Sequence, residues 1–369
     1  MGNAAIIRFA GELAKLWDQR RAACFCRLVV GLVRGQRLGV AAIARKLPAD
    51  TVDKHKIKAV DRFLGNKAVD LTVLWASLLG LAAQSRRELL VQLDWTDLDD
   101  AHEVLVATVC FGGRALPVAW ATSRKGLYER SRNALETSLC LVSQRAVPDG
   151  VKLIIVADRG FCRASFFRAL RRMGIHFIIR IRRDVHLITE RGRGPVSNRA
   201  IRRGQARDLP RARYGEDTRV PVRCVIAWGE GDGNNQPKCP WYLVTDLPSE
   251  DKSALLIVAG YKRRMRIEHN FRDHKSYRFG FQLHAVQLTK PDRYDRLLDI
   301  ATVAMMLLVN LGAAVEHRGL HRGFKANTDP ARTHSLFQLG LAFLDRAVFD
   351  KPRRRILYCC FEAALAGMA

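Results

Sequence analysis

Residues 152 to 158 read KLIIVAD, an apolar run that no polar residue breaks until the closing carboxylate. A strand of this kind cannot leave a face in water. It belongs in the interior of a parallel sheet covered on both sides. Parallel neighbours need crossover segments, usually helices, and the flanking sequence supplies them. A helical stretch at 132–147 precedes the run, and ASFFRALRRMG (164–174) follows it, leading to a further strand, HFIIRIRRD (176–184). Upstream, LLVQLDWTDL (89–98), HEVLVATVCFGG (102–113) and ALPVAWATS (115–123) read as three strands of an antiparallel meander, with Gly112-Gly113 at one turn.

Three antiparallel strands, a helix, a strand, a helix and a strand is the order of a ribonuclease H-like fold, so the expected class is α/β. The flanks differ in character. Residues 1 to about 80 look helical, and VAAIARKL (40–47), a turn at Pro48 and VDKHKIKAVDRFL (52–64) fit a helix-turn-helix. Its second helix keeps an apolar stripe and crowds Lys54, Lys58 and Arg62 onto other faces. The same pattern fits two bundle helices with a solvated basic side. Residues 185 to about 240 are rich in Arg and Gly, with strand-like pieces such as VPVRCVIAW (220–228), and read as a mostly β insertion whose arginines face a polyanion. WYLVTDL (241–247) returns to strand, and helices are expected at 254–275, 290–316 and within 335–365. The expected units are a helical domain at 1–85, an α/β core at 86–184 and 241–325, a basic β-rich insertion at 185–240 and a helical C-terminal region at 326–369.

Charge narrows the partners. Sixty-two Lys and Arg against 36 Asp and Glu leave a net charge of +26 over 369 residues. An excess of that size points to nucleic acid; no basic amphipathic anchor suggests a membrane surface instead. The apolar stretch Ile300–Val315 reads as a buried helix, too short to span a bilayer and interrupted by Asn310. Nine cysteines without a C-x-x-C spacing fit free thiols in a reducing cytoplasm.

Three carboxylates carry the chemistry. Asp94 lies within an apolar strand, where burial without a partner would be costly. Asp158 ends the KLIIVAD run, the end of an open α/β sheet where ligands bind. Glu268 lies in YKRRMRIEHNFRDHK, where Tyr261, Arg264, Glu268 and Lys275 fall within about 60° of one another on a continuous helix. Hard oxygen ligands of this type suit two Mg²⁺ or Mn²⁺ ions. Such a pair activates an attacking oxygen and stabilises a leaving one. Asp97, Asp99 and Asp100 fit turn and cap roles instead.

These residues resemble those of the bacterial DDE-type insertion-sequence transposases, in the branch marked by Y-x2-R-x3-E-x6-K. Tyr261, Arg264, Glu268 and Lys275 meet every spacing, and the likeness extends to Asp94-x-Thr96, to A-D-R-G-F around Asp158 and to W-Y-L-V-T at 241–245. The resemblance implies Asp94, Asp158 and Glu268 as catalytic metal ligands, with Tyr261, Arg264 and Lys275 on the phosphates of the transposon end. It also implies that Trp241 packs against a displaced base, although a strand-start core aromatic reads the same way. The expected activity is cut-and-paste transposition by a protein that dimerises on DNA in the bacterial cytoplasm. The alternatives are a structure-selective endonuclease with the same fold and a catalytically idle DNA-binding regulator.

Overall fold

The computed structural model describes residues 2–347 and Cys359, apart from 16, 85, 112–113, 127–128, 191, 200, 203–204, 216, 229–238, 268–280, 327 and 329. Its centre is β4 (Lys152–Ala157), the run that opened the analysis. Ile154 and Val156 project into one apolar cluster, while Leu153, Ile155 and Ala157 project into another. All five side chains are essentially inaccessible, as an unbroken apolar strand requires.

On one side of β4 lies β1 (Glu88–Asp97), parallel to it, followed by β2 (His102–Phe111) and β3 (Arg114–Arg124) in antiparallel order. On the other side β5 (His176–Arg180) runs parallel. Helix α6 (Glu129–Ala146) connects β3 to β4, and α7 (Ala164–Arg172) connects β4 to β5. The order β3-β2-β1-β4-β5, with these directions, is that of a ribonuclease H-like core.

Residues 185–240 do form strands, but not a separate layer. β6 (His186–Thr189), β7 (Gly192–Pro195), β8 (Ala206–Tyr214) and β9 (Val220–Trp228) join β10 (Pro240–Thr245), which pairs antiparallel with β5. One ten-stranded sheet results, in the order β3-β2-β1-β4-β5-β10-β9-β8-β6-β7. The edge that β5 would otherwise present is thereby paired rather than exposed. Not every arginine of this segment faces outward. Arg223 is buried, forks onto Asp208 at 2.9 and 2.6 Å, and donates to the carbonyls of Leu247, Pro248 and Lys252.

Helix α8 (Ala254–Lys262) covers the second cluster. A side chain at Gly260 would press on Ile178 and Leu90 at 3.1 and 3.2 Å, so glycine sets how closely α8 approaches the sheet. The helix expected to run on to 275 changes form sooner: Arg263–Arg266 is a 3-10 turn. A 3-10 turn advances about 120° per residue rather than about 100°, so Arg264 does not keep the angle to Tyr261 that a continuous α-helix would give it.

The larger cluster lies under the other face and extends into α1 (Gly2–Leu13), α2 (Gln19–Gly35), α3 (Val40–Arg45), α4 (Asp53–Gly65) and α5 (Leu71–Ala83). Helix α9 (Pro291–His317) runs through it and packs on β3, α2 and α4. The helix expected at 290–316 is present, and at 27 residues it is long and apolar enough to cross a membrane, unlike the stretch Ile300–Val315 taken alone. Of its most apolar window, 78% is buried inside the fold, as in a core helix. Pro291 opens it at a position where no intrahelical N–H bond is lost, and Arg296 donates to Leu64 O at 2.6 Å, capping the last turn of α4. Helix α10 (Leu336–Ala347) crosses α9 where Gly312 and Gly340 let the backbones touch: a Cβ at either would lie 1.9 or 2.1 Å from a carbonyl oxygen of the other helix.

Candidate active site

The parallel register of β1 and β4 sets the site. Its last pair is Leu93↔Ala157, so the next residue on each strand is an aspartate, Asp94 on one and Asp158 on the other. Asp94 lies on the α8 side of the sheet, while Trp95, one residue on, faces the opposite side. Asp158 caps a 3-10 turn, Arg159–Phe161, accepting a hydrogen bond from Gly160 N at 2.8 Å. Gly160 must stay small, since a Cβ there would meet Asp158 Oδ1 at 3.0 Å.

Each carboxylate has one oxygen tied locally and one turned inward. Asp94 Oδ1 accepts from Trp95 N at 3.1 Å. The inward oxygens share a single cation: Arg264 Nη2 is 2.9 Å from Asp94 Oδ2 and 3.6 Å from Asp158 Oδ2. Arg264 is 8% exposed, and its Nε has no hydrogen-bond partner among the described residues. Burial pushes the Asp94 carboxyl up to about 6, against the pull of Arg264 and with a further push from Asp158. Burial alone would lower the Arg264 guanidinium, but Asp94, Tyr261 and Asp158 carry it upward. Two carboxylates converging on one positive charge are the donor set a divalent cation takes, with hard oxygens held close together.

Glu268 and Lys275 lie outside the described residues, and the third acidic position with them. Among the described residues no group of three His, Cys, Asp or Glu side chains gathers as a cation site. Tyr261 faces inward rather than along an exposed ridge: it is 1% exposed and meets Trp241 edge-on, ring centroids 5.1 Å apart. Its hydroxyl accepts a hydrogen bond from Arg180. Trp241 is equally buried, and its indole N–H has no partner among the described residues. The core alternative for Trp241 is therefore the one the packing follows here. Lys54, Lys58 and Arg62 are exposed on α4, one turn apart from each other. Asp99 takes a turn role, accepting from Ala101 N and His102 N and from the Tyr294 hydroxyl.

A feature absent from the sequence expectations adjoins Asp158. A cleft of about 1150 Å³ is lined by Arg159, Arg180, Arg182 and Arg183, with Asp184 and Tyr242. The signal was present as RIRRD at the end of β5, read only as strand.

Strand order and paired aspartates at the strand ends define a class, an α/β core of ribonuclease H type with an acidic site. Residues 132–307 match the family model described as Transposase DDE domain, which supports a DDE-type transposase. The match takes in Asp158, Arg264 and Glu268 but begins after Asp94. No curated protein matches the chain.

Proposed function

We propose that this protein is a bacterial insertion-sequence transposase of the Y-R-E-K branch, which cleaves DNA at the inverted-repeat ends of its element and joins the freed 3′-hydroxyl to target DNA. The observation that carries the reading is the convergence of Asp94 and Asp158 on one guanidinium. Asp94, Asp158 and Glu268 would hold two Mg²⁺ or Mn²⁺ ions. When bound, they supply activation of the attacking oxygen and stabilisation of the leaving 3′-oxygen.

The chain's own part is positioning. Arg264 offsets one of the two aspartate charges and, with Lys275, would contribute positive charge toward a phosphate. Arg159, Arg180, Arg182 and Arg183 line a cleft beside Asp158 that suits a phosphodiester backbone. Lys54, Lys58 and Arg62 on the α4 surface would contact duplex DNA, with α3 and α4 as a helix-turn-helix. Tyr261 and Trp241 would take part in end recognition only if DNA binding opens the cluster under α8. Within this reading residues 1–85 bind DNA, 86–184 and 241–325 form the catalytic core, 185–240 extend it and 326–369 aid dimerisation on paired ends, in the cytoplasm at the nucleoid.

The test is cleavage of DNA bearing the element's inverted repeats, with Mg²⁺ present. Asp94→Ala, Asp158→Ala and Glu268→Ala should each abolish cleavage while retaining end binding in a gel-shift measurement. Wild-type cleavage by any of the three removes that residue from the site. A joining assay with a pre-cut end separates a transposase from a nuclease that cannot transfer strands.

A further inference from the structure

Glu136, on α6, is 3% exposed and has no role in the chemistry described so far. An isolated carboxylate at that depth would be strongly disfavoured, and its two oxygens are engaged in different directions. Oε1 accepts from Trp95 Nε1 at 2.9 Å, and Oε2 pairs with Arg163 Nη2. Arg163 then donates through Nη1 to Gly160 O at 2.9 Å.

These contacts close a circuit. Trp95 is the strand neighbour of Asp94 and donates its backbone N–H to Asp94 Oδ1. Gly160 is the turn residue whose N–H holds Asp158 Oδ1. Glu136 and Arg163 therefore join, through the far side of the sheet, the two backbone segments that orient the two aspartates. The Trp95 ring is held from its other side by Arg132, whose Cζ lies 4.5 Å from the ring centroid and which itself pairs with Glu103 at 3.5 Å. The circuit's two ends, Asp94 and Asp158, meet again at Arg264 on the other face of the sheet.

We propose that Glu136 is a positioning residue that, through Trp95 and Arg163, fixes the separation and aim of the Asp94 and Asp158 carboxylates. The proposal rests on the reading of those aspartates as metal ligands. Outer partners that orient ligands typically govern metal affinity by ~10–100-fold when removed. A circuit acting as one unit also makes the losses non-additive.

The experiment is calorimetric titration of the metal-free full chain with Mn²⁺, alongside its thermal unfolding without metal. Glu136→Gln and Arg163→Met should each weaken Mn²⁺ binding about tenfold, and the double variant should lose no more than the worse single one. Asp94→Asn serves as the control. If it binds Mn²⁺ as the native chain does, the metal-site reading itself fails. If it loses binding while folded Glu136→Gln keeps native affinity, the positioning role alone is overturned. A lowered unfolding midpoint with unchanged affinity would mark a structural staple and likewise overturn it. Should either single variant fail to fold, Trp95→Phe, which keeps an aromatic side chain but loses the indole N–H together with part of the ring, carries the same titration. A severalfold loss supports the circuit and native affinity refutes it.

Discussion

Arg264 is the residue on which the site's electrostatics turn. Without metal it is the positive charge facing both Asp94 Oδ2 and Asp158 Oδ2. Burial already holds the Asp94 pKa at about 6, above its ordinary 3.8. A carboxyl raised on folding takes up protons between the two values, so its contribution to stability is complete below about pH 4 and lost as pH rises through 6. Arg264→Met deepens that loss. The expected outcome is a variant destabilised by about 3–5 kcal/mol at pH 8 and by clearly less at pH 5, read by urea unfolding at both values. Equal destabilisation at the two would show that Arg264 contributes packing rather than charge. The aspartates were legible in sequence because a carboxylate inside an apolar strand, or at its end, stands out from its neighbours. The role of Arg264 was not: among 62 basic residues, nothing local separates a buried arginine from a solvated one.

Helix α9 shows the same limit at the scale of an element. Its extent was legible, since a helix was expected at 290–316 and Pro291–His317 is found, but the charged start PDRYDRLLD, about two and a half turns, gave no sign that it too is largely buried. Some of those charges find partners in the folded chain, while the carboxylate oxygens of buried Asp299 have no hydrogen-bond partner among the described residues. Asp295 accepts from Thr122 N at 2.9 Å, fastening α9 to the edge strand β3, and Trp120 Nε1 donates to Asp295 O at 3.0 Å. Burial pushes the Asp295 carboxyl up to about 7, from an ordinary value of 3.8. Its stabilising contribution is therefore present below about pH 4 and lost as pH climbs through 7. Asp295→Asn keeps the acceptor and removes the charge. It should raise stability at pH 8 by up to a few kcal/mol and leave stability near pH 4 almost unchanged, as measured by denaturant midpoints. At the α9–α10 crossing, Gly340→Ala should cost about 1–3 kcal/mol through backbone overlap. Gly80→Ala in α5, where a methyl meets nothing within 4 Å, should instead stabilise by about 0.4–1 kcal/mol.

For the whole molecule, the excess of +26 sets the expected binding behaviour. A surface that neutralises about 6–10 phosphates loses roughly 10³–10⁵ in DNA affinity between 50 and 200 mM salt. Arg182→Ala and Arg183→Ala, at the cleft beside Asp158, should each reduce the slope of log affinity against log salt by about 1. Slopes unchanged in both would place the DNA path elsewhere. The order and direction of the first five strands followed from sequence, because strand periods and crossover helices are local signals. How residues 185–240 attach did not follow, since alternation shows that a segment is a strand and not which edge it joins.

That attachment has a practical outcome. Because β10 and β9 continue the ladder from β5, the stretch from β6 to β9 cannot be trimmed away as a loop. Excising it would strip β10 of its outer partner, β9, and free the groups that Arg223 holds at Leu247, Pro248 and Lys252, just ahead of α8. The shortened polypeptide would carry a raw hydrogen-bonding margin, prone to stick to copies of itself. The outermost strands and the acidic pair thus belong to one continuous hydrogen-bonded sheet.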